Sequence, residues 1–185
     1  MKTSKVALIG LGFLAAAACS AAGKPGVDYV SKVFRDGAYL PHAYSEHEVL
    51  RRYGEGDKVV DVAGLIRRRY RDPTTQLEVI VTSNPDVEPK FRTIDEIRVS
   101  SIAADRPSSA RVESLKGLRL KGVAIGDPAS KAVSAARTYG SMDTARAKLG
   151  SFDVERVCGF SEGGSNICFF TRDEKVVSMA VGFGP

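Results

Sequence analysis

Two cysteines near the end of the chain have the spacing that most directly indicates chemistry. Cys158 and Cys168 lie at equal distances from Gly163, which is at the centre of a polar turn. Folding a β-hairpin at that glycine places the two thiols opposite each other, as a cross-strand disulfide requires. An even pair of cysteines is typical of an oxidising compartment, so we predict a disulfide; two buried free thiols are the alternative.

An arginine-rich stretch offers a second kind of chemistry, the recognition of acidic groups. It comprises Arg67, Arg68, Arg69 and Arg71 in a predicted strand and Arg51 and Arg52 in a predicted helix. Successive residues of a strand point to opposite faces, so charge is expected on both faces, which is costly unless one face meets water or a partner. Two interpretations follow. The strand is an edge kept soluble by its charge, or the arginines form a surface for an acidic protein partner.

The residue types that enzymes use for catalysis do not form a recognisable constellation. The two histidines are His42 and His47, with Glu46 and Glu48 beside the second. A metal site needs ligands that converge on one point, and a histidine within a helix-capping sequence is expected to face solvent. No serine lies in a nucleophile-elbow pattern, and no glycine-rich loop is followed by Lys-Ser or Lys-Thr. We therefore expect no catalytic residues, no metal and no cofactor.

Residues 1–22 have the features of an export signal. Lys2 and Lys5 come before an uninterrupted run of apolar and small residues at 6–18, shorter than the roughly 20 residues of a membrane-spanning helix. Cleavage after Ala22 removes Cys19. Alternatively, the Ala-Ala-Ala-Cys stretch ending at Cys19 is similar to a lipobox, in which the cysteine is lipidated and becomes the first residue. Both outcomes predict a periplasmic protein, either soluble or tethered to the membrane through Cys19.

Length and charge exclude several classes of protein. The chain has 185 residues, 43% hydrophobic and 26% charged, which suits one ordinary globular core rather than a disordered chain or a large multidomain enzyme. The formal net charge is +5, and residues 1–22 contribute two of these charges, leaving +3. Proteins that bind nucleic acid carry a denser basic surface, so we expect no nucleic-acid partner.

The hydrophobic pattern divides the mature chain into two similar halves, residues 23–102 and 118–185. They are joined by a linker at 103–117, whose first part is polar. In the first half, the spacing predicts a helix at 27–36, where a strand is the alternative. It predicts a second helix that begins with a capping box from Ser45 to Glu48 and ends at Gly54. Strands are predicted at 65–71, 76–82 and 93–102.

The second half repeats this order of elements. Asp127 is predicted to cap a helix at 128–139, in which Pro128 takes the first helical position. The other predicted elements are a strand at 118–125, a short helix at 141–149, and strands at 154–160, 167–171 and 175–183.

The phrase Lys-Gly-Val-Ala-Ile-Gly-Asp-Pro at 121–128 is followed by a helix that closes at Tyr139-Gly140 and then by an antiparallel meander. This order resembles the opening of domains in the superfamily that includes β-lactamase inhibitor proteins and small outer-membrane-assembly lipoproteins. Residues 44–54 carry a weaker copy that lacks the Gly-Asp phrase. The resemblance spans 44–183 and implies an α+β fold, with tandem units of helices on one face of an antiparallel sheet. It also implies binding rather than catalysis.

These features together favour an exported, non-enzymatic protein-binding module. We expect an inhibitor or an immunity protein that neutralises an envelope-acting enzyme or toxin. The alternative is a lipid-anchored structural protein that assists envelope assembly, and a hydrolase with a pair of carboxylates is a third class. The fate of Cys19 separates the first two, because only the second requires a lipid anchor.

The lipobox interpretation predicts that Cys19→Ala converts a membrane-bound protein into a soluble periplasmic one, because acyl chains on Cys19 are the anchor that the sequence offers. Cell fractionation of the wild type and the variant measures this directly. Processing that is insensitive to globomycin and leaves Gly23 as the first residue would contradict lipidation.

Overall fold

The computed structural model describes residues 25–37, 44–86, 88–101, 112 and 114–183. The predicted export signal with Cys19, His42 and the polar part of the predicted linker lie outside these residues. The elements of the first half are α1 (Tyr29–Phe34), α2 (Glu46–Tyr53), β1 (Asp57–Val60), β2 (Ile66–Asp72), β3 (Leu77–Ser83), a short 3-10 helix (Pro89–Phe91) and β4 (Ile94–Ser101). Those of the second half are α3 (Ala129–Tyr139), β5 (Ser141–Leu149), β6 (Phe152–Phe160), β7 (Ser165–Arg172) and β8 (Lys175–Phe183).

The eight strands form one antiparallel sheet in the order β1-β2-β3-β4-β8-β7-β6-β5. Strands β1 to β4 pair in succession, as do β5 to β8. The two sets join where β4 pairs with β8, which places Ile97 opposite Val181 and Val99 opposite Met179. The predicted α+β class with an antiparallel sheet is confirmed, and the strands of both halves belong to the same sheet.

The main hydrophobic core lies on one face of this sheet, where the three α-helices pack. Val49 of α2 and Ala132 of α3 are fully buried in the same cluster as Tyr70 and Val79 of the sheet. Gly159 of β6 marks the closest approach of a helix, because a Cβ built there would lie 2.2 Å from the backbone oxygen of Ala136. Only glycine lets α3 lie this close to the strand.

A buried carboxylate holds α2 to the sheet. The side chain of Glu46 is 1% exposed and accepts hydrogen bonds from Arg68 Nε at 3.0 Å, Arg92 Nη1 at 3.0 Å and Ser83 Oγ at 2.9 Å. Burial raises the pKa of Glu46, but the hydrogen bonds from these three side chains outweigh it and hold that pKa below its ordinary value. The ionised carboxylate therefore connects α2 to β2, to the end of β3 and to the segment before β4.

Many predicted elements are confirmed. Helix α2 begins after Ser45, whose Oγ accepts a hydrogen bond from the backbone of His47 at 3.2 Å, and it ends at Gly54. Strand β8 covers 175–183 as predicted, and helix α3 covers 129–139, starting one residue later than predicted. The ends of β2, β3, β4, β6 and β7 lie within two residues of their predicted positions. Helix α1 is shorter than predicted and begins after Asp28, which caps Ser31 N at 2.9 Å.

The prediction of a short helix at 141–149 is wrong, because these residues form β5. Ala145 and Leu149 have the spacing of neighbours on a helix. However, Ala145, Ala147 and Leu149 are half-buried and the residues between them are exposed, which is the period of a strand. Pairing with β6 along the whole of β5 determines the conformation.

The prediction of a strand at 118–125 is also wrong. Leu118, Leu120 and Val123 are buried, as their pattern suggested, but the chain reverses between Leu120 and Val123. These two residues exchange backbone hydrogen bonds of 2.8 and 3.0 Å across a turn in which Lys121 and Gly122 have φ values of 48° and 80°. The apolar residues alternate because the segment covers the core next to Phe34, not because it joins the sheet.

Asp127 does not cap α3. The N-cap residue is Pro128, which makes no side-chain capping bond. The carboxylate of Asp127 accepts instead from Ala124 N at 2.9 Å and from Lys131 Nζ at 2.8 Å, so it stabilises the turn before the helix.

Strand β1 was not predicted from the sequence, because its four residues include exposed valines and lack the alternation of a half-buried strand.

The last part of the predicted linker at 103–117 is packed on the fold. Leu115 is 4% exposed, and its backbone N–H donates to the carboxylate of Asp72 at 2.8 Å. Burial by itself raises the pKa of Asp72. The hydrogen bonds that its carboxylate accepts from Leu115, Thr75 and Thr74 lower this pKa by more, so it lies below its ordinary value. This end of the linker is therefore fixed to β2.

The Glu46 network predicts a large loss of stability in Glu46→Gln, because the amide leaves Arg68 and Arg92 without a buried counter-charge. We expect the free energy of unfolding in urea to fall by about 3 kcal/mol. Because the pKa of Glu46 is lowered in the folded protein, its contribution is present at pH values above the pKa of the unfolded chain and is lost as the pH falls through the folded pKa. Glu162→Gln, in an exposed turn, is the control, and equal stability of the two variants would contradict the prediction.

Candidate protein-binding face

The face of the sheet opposite the helices, called the open face below, is the candidate site. Side chains alternate along β2, so Arg67, Arg69 and Arg71 lie on the open face whereas Arg68 lies on the helix face. The middle row of the open face runs across the strands through Arg69, Ile80, Arg98, Ala180, Cys168 and Cys158. The next row runs through Arg71, Glu78, Ser100, Ser178, Phe170 and Arg156.

The structure does not bring all six predicted arginines together. Arg51 and Arg52 lie on α2, on the helix side, where their guanidinium groups lie 2.8 Å from Glu48 and 3.8 Å from Asp28. Arg68 is 4% exposed and is bound between Glu46 and Glu55. The open face therefore keeps Arg67, Arg69 and Arg71 of the predicted set. The interpretation of this strand as an edge is wrong, because β2 lies between β1 and β3.

Arg69 is the arginine of β2 on the open face for which no ion pair is found among the described residues, although Asp57 of β1 lies directly opposite it in the register. Within the described ranges, its side chain makes no hydrogen bond or ion pair, and its Nε is buried from solvent. Its basic neighbours are paired, Arg67 with Asp61 at 2.8 Å, Arg71 with Glu78 at 3.5 Å and Arg98 with Glu96 at 3.0 Å. A guanidinium group that forms no ion pair with the groups around it is suited to bind a carboxylate of a partner.

The part of the open face formed by β6, β7 and β8 is apolar and is crosslinked by the disulfide. The predicted bond between Cys158 and Cys168 is confirmed and joins directly opposite residues of β6 and β7, whose Cα atoms are 4.1 Å apart. Cys168 packs against a small cluster of buried Val154, Phe170 and Ala180. The guanidinium of Arg98 lies over the Phe170 ring, 4.7 Å from its centroid, where the basic and apolar halves meet.

The histidines do not form part of this face. His47 is exposed on α2, and His42 lies outside the described residues. The part of the chain that the structure describes contains no group of three or more His, Cys, Asp or Glu arranged to hold a metal ion. In the same residues, no helix has both the length and the apolar character needed to cross a bilayer.

A groove of about 980 Å³ lies on the helix side, between the start of α3 and the β5–β6 hairpin. Its walls carry Arg146 and Arg172 together with Asp153 and Glu155. Asp153 is bound by a neighbouring lysine and Arg172 by a neighbouring aspartate. Charges of both signs give this groove no preference for an anion or a cation, so the open face remains the better candidate.

Sequence reasoning found the arginines of β2 but missed Arg98 and Arg156, which also lie on the open face. Each is a single basic residue in a strand, and only the register of the sheet places it near the others. No family model, curated protein or solved structure matches this chain. The candidate face therefore depends on its own geometry.

Adjacent arginines of β2 should respond differently to substitution. Arg68→Ser removes one of the two buried arginines that bind Glu46, and we expect the free energy of unfolding to fall by about 3 kcal/mol. Arg69→Ser removes a cation that forms no ion pair among the described residues and should change that energy by less than about 0.5 kcal/mol. Urea unfolding of both variants makes the comparison, and losses of the same size would contradict the assignment of the two side chains to opposite faces.

Proposed function

We propose that the protein is an exported, non-enzymatic binding module that neutralises an envelope-acting enzyme or toxin, as an inhibitor or an immunity protein does. The observation that carries this proposal is Arg69, which lies opposite Asp57 but has no ion pair among the described residues, on the face of the sheet away from the described helices. Such a cation favours an acidic group on a partner protein.

The rigidity of the open face supports a binding role. Seven successive pairings order its backbone, and the disulfide holds β6 to β7. A surface that is ordered before association does not have to pay the entropy of ordering when it binds. The face also carries arginines, which are enriched at the energetically important centres of interfaces.

The tandem organisation belongs to the same proposal. In each half, a helix comes before a four-stranded meander: α2 before β1 to β4, and α3 before β5 to β8. We propose that these are two copies of one helix-on-sheet unit, related by duplication. Pairing β4 with β8 then makes the open face of each copy continuous with that of the other, which gives a binding surface twice as wide.

The chemistry of the partner follows from the charges. We propose that a carboxylate of the partner binds Arg69, with Arg67 and Arg71 beside it on the same strand. Charge of this kind accelerates encounter and makes the association rate depend on salt. The lipid-anchored function in envelope assembly is the second candidate, favoured by the lipobox-like stretch that ends at Cys19.

The double variant Arg67→Ser/Arg69→Ser tests the proposal. The wild type is used as bait in an envelope extract, and the captured protein is then titrated against wild type and variant. We expect the double variant to weaken binding by about 2 kcal/mol or more, because it removes both the contact and the steering charge. The rate of association of the wild type should fall as salt is raised.

The matched control is Lys116→Ser/Arg137→Ser, which removes the same charge from exposed positions away from the open face and should leave affinity unchanged. Equal weakening by both double variants would indicate non-specific attraction. Unchanged affinity in Arg67→Ser/Arg69→Ser would indicate that the binding site lies elsewhere, and the β6–β7 turn would be tested next. Capture of no protein by a folded bait would contradict the binding module.

A further inference from the structure

The groove between the start of α3 and the β5–β6 hairpin is a preformed cavity on the helix side of the sheet. Its volume of about 980 Å³ is within the range of pockets that bind small molecules. The start of α3 is fixed to the β7–β8 turn, because Ala129 N donates to Glu174 O at 2.8 Å and Val176 N donates to Asp127 O at 2.9 Å. The opposite wall is the paired backbone of β5 and β6. The groove therefore does not have to form when a ligand binds.

Two opposite charges face this groove without pairing with each other. Arg146 of β5 lies directly opposite Glu155 of β6, and both line the groove. Oppositely charged residues in this position, whose Cβ atoms are about 5 Å apart, ordinarily interact. In the next pair along the same face, Lys148 and Asp153 lie 2.6 Å apart. However, neither Arg146 nor Glu155 makes an ion pair or a side-chain hydrogen bond with any residue that the structure describes. A ligand that carries both a positive and a negative group can bind the two at once.

Thr171 of β7 gives the groove a third polar group. It lies directly opposite Glu155, so the two side chains are on the same face of the sheet. Thr171 is 4% exposed and lines the groove. Its hydroxyl makes no hydrogen bond with any part of the chain that the structure describes. A buried hydroxyl is costly unless it is hydrogen-bonded, and the groove is the side from which a polar group can reach it.

We propose that the groove binds a free α-amino acid with an uncharged polar side chain, such as glutamine. The ammonium group binds Glu155, the carboxylate binds Arg146, and the side chain hydrogen-bonds to Thr171. A free amino acid carries its two charges on one carbon atom, which suits two residues directly opposite each other. Thr171 is one strand away from Glu155, or about 4.8 Å, a distance that a glutamine side chain spans. This inference goes beyond the proposed function and uses the other side of the sheet.

The inner end of the groove disfavours a charged side chain on the ligand. The start of α3 lines it, and the positive end of the helix dipole repels a cationic side chain. Glu174, which also lines the groove, repels an anionic one. An uncharged group that donates and accepts hydrogen bonds, as an amide does, meets neither repulsion.

The test titrates L-glutamine into the purified protein and follows backbone amides by two-dimensional NMR. We expect saturable shifts at the start of α3 and in β5 to β7, with a dissociation constant below about 1 mM. Binding should be at least about tenfold weaker for N-acetylglutamine, which lacks the ammonium group, and for glutaminamide, which lacks the carboxylate. Norleucine has a similar length but no polar group in its side chain, and it should also bind at least about tenfold more weakly.

Variants of the two charged residues assign their contacts. Arg146→Gln and Glu155→Gln should each weaken glutamine binding at least about tenfold, because each removes one charge at an exposed position. The controls are Arg137→Gln and Glu162→Gln, which make the same changes at exposed positions that do not line the groove. They should leave glutamine binding unchanged.

Thr171→Val distinguishes a ligand contact from a structural role. Valine keeps the shape of the side chain and removes a hydroxyl that no described residue binds. The midpoint of urea unfolding should therefore not fall, whereas glutamine binding should weaken. A lower midpoint, or binding equal to that of the wild type, would contradict the contact with Thr171.

Three results would overturn the proposal as a whole. They are a dissociation constant for glutamine above about 1 mM, equal binding of N-acetylglutamine or glutaminamide, and equal weakening in the control variants. Tighter binding of glycerophosphoethanolamine would overturn it in favour of a lipid headgroup, which has the two charges but no polar side chain. Because the test uses neither the open face nor an extract, failure of this proposal is distinguishable from failure of the binding function.

Discussion

The pairing of β4 with β8 is the contact on which the rest of the architecture depends, because it is the one strand pairing between the two halves of the described sheet. Ser100 and Ser178 reinforce it, with hydroxyl oxygens 2.7 Å apart and a further bond from Ser178 to Val99 O at 3.1 Å. Both serines are buried on the open face. Without this pairing, the basic strands and the disulfide hairpin would belong to separate sheets and would share no surface.

The elements predicted well from the sequence are those whose local pattern and final environment agree. Ser45 and Gly54 delimit α2 through short-range hydrogen bonds, and the symmetry of Cys158 and Cys168 about their turn is a property of the hairpin alone. Residues 141–149 were predicted to be helical because their apolar spacing fits both periods, and only pairing with β6 selects the strand. The alternation at 118–125 reflects burial, which a turn achieves as well as a strand does.

The arginine stretch shows that the candidate site also depends on long-range contacts, which the sequence does not reveal. Its composition predicted charge on both faces of β2, and the alternation of the strand indeed separates Arg68 from Arg67 and Arg69. The sequence did not show that Glu46, which is distant along the chain, lies beside Arg68 and neutralises it in the core. Whether Arg69 forms an ion pair likewise depends on long-range structure, because the register of the sheet determines which carboxylates lie near it.

The contact between Gly159 and α3 gives two neighbouring positions of β6 opposite tolerance of mutation. Any side chain at Gly159 would collide with the backbone of Ala136, so this position tolerates no residue other than glycine. Phe160, the next residue, is 38% exposed on the open face, where substitution leaves the helix undisturbed. Descendants of this chain can therefore vary position 160 while purifying selection preserves position 159, which lets partner preference evolve without moving α3.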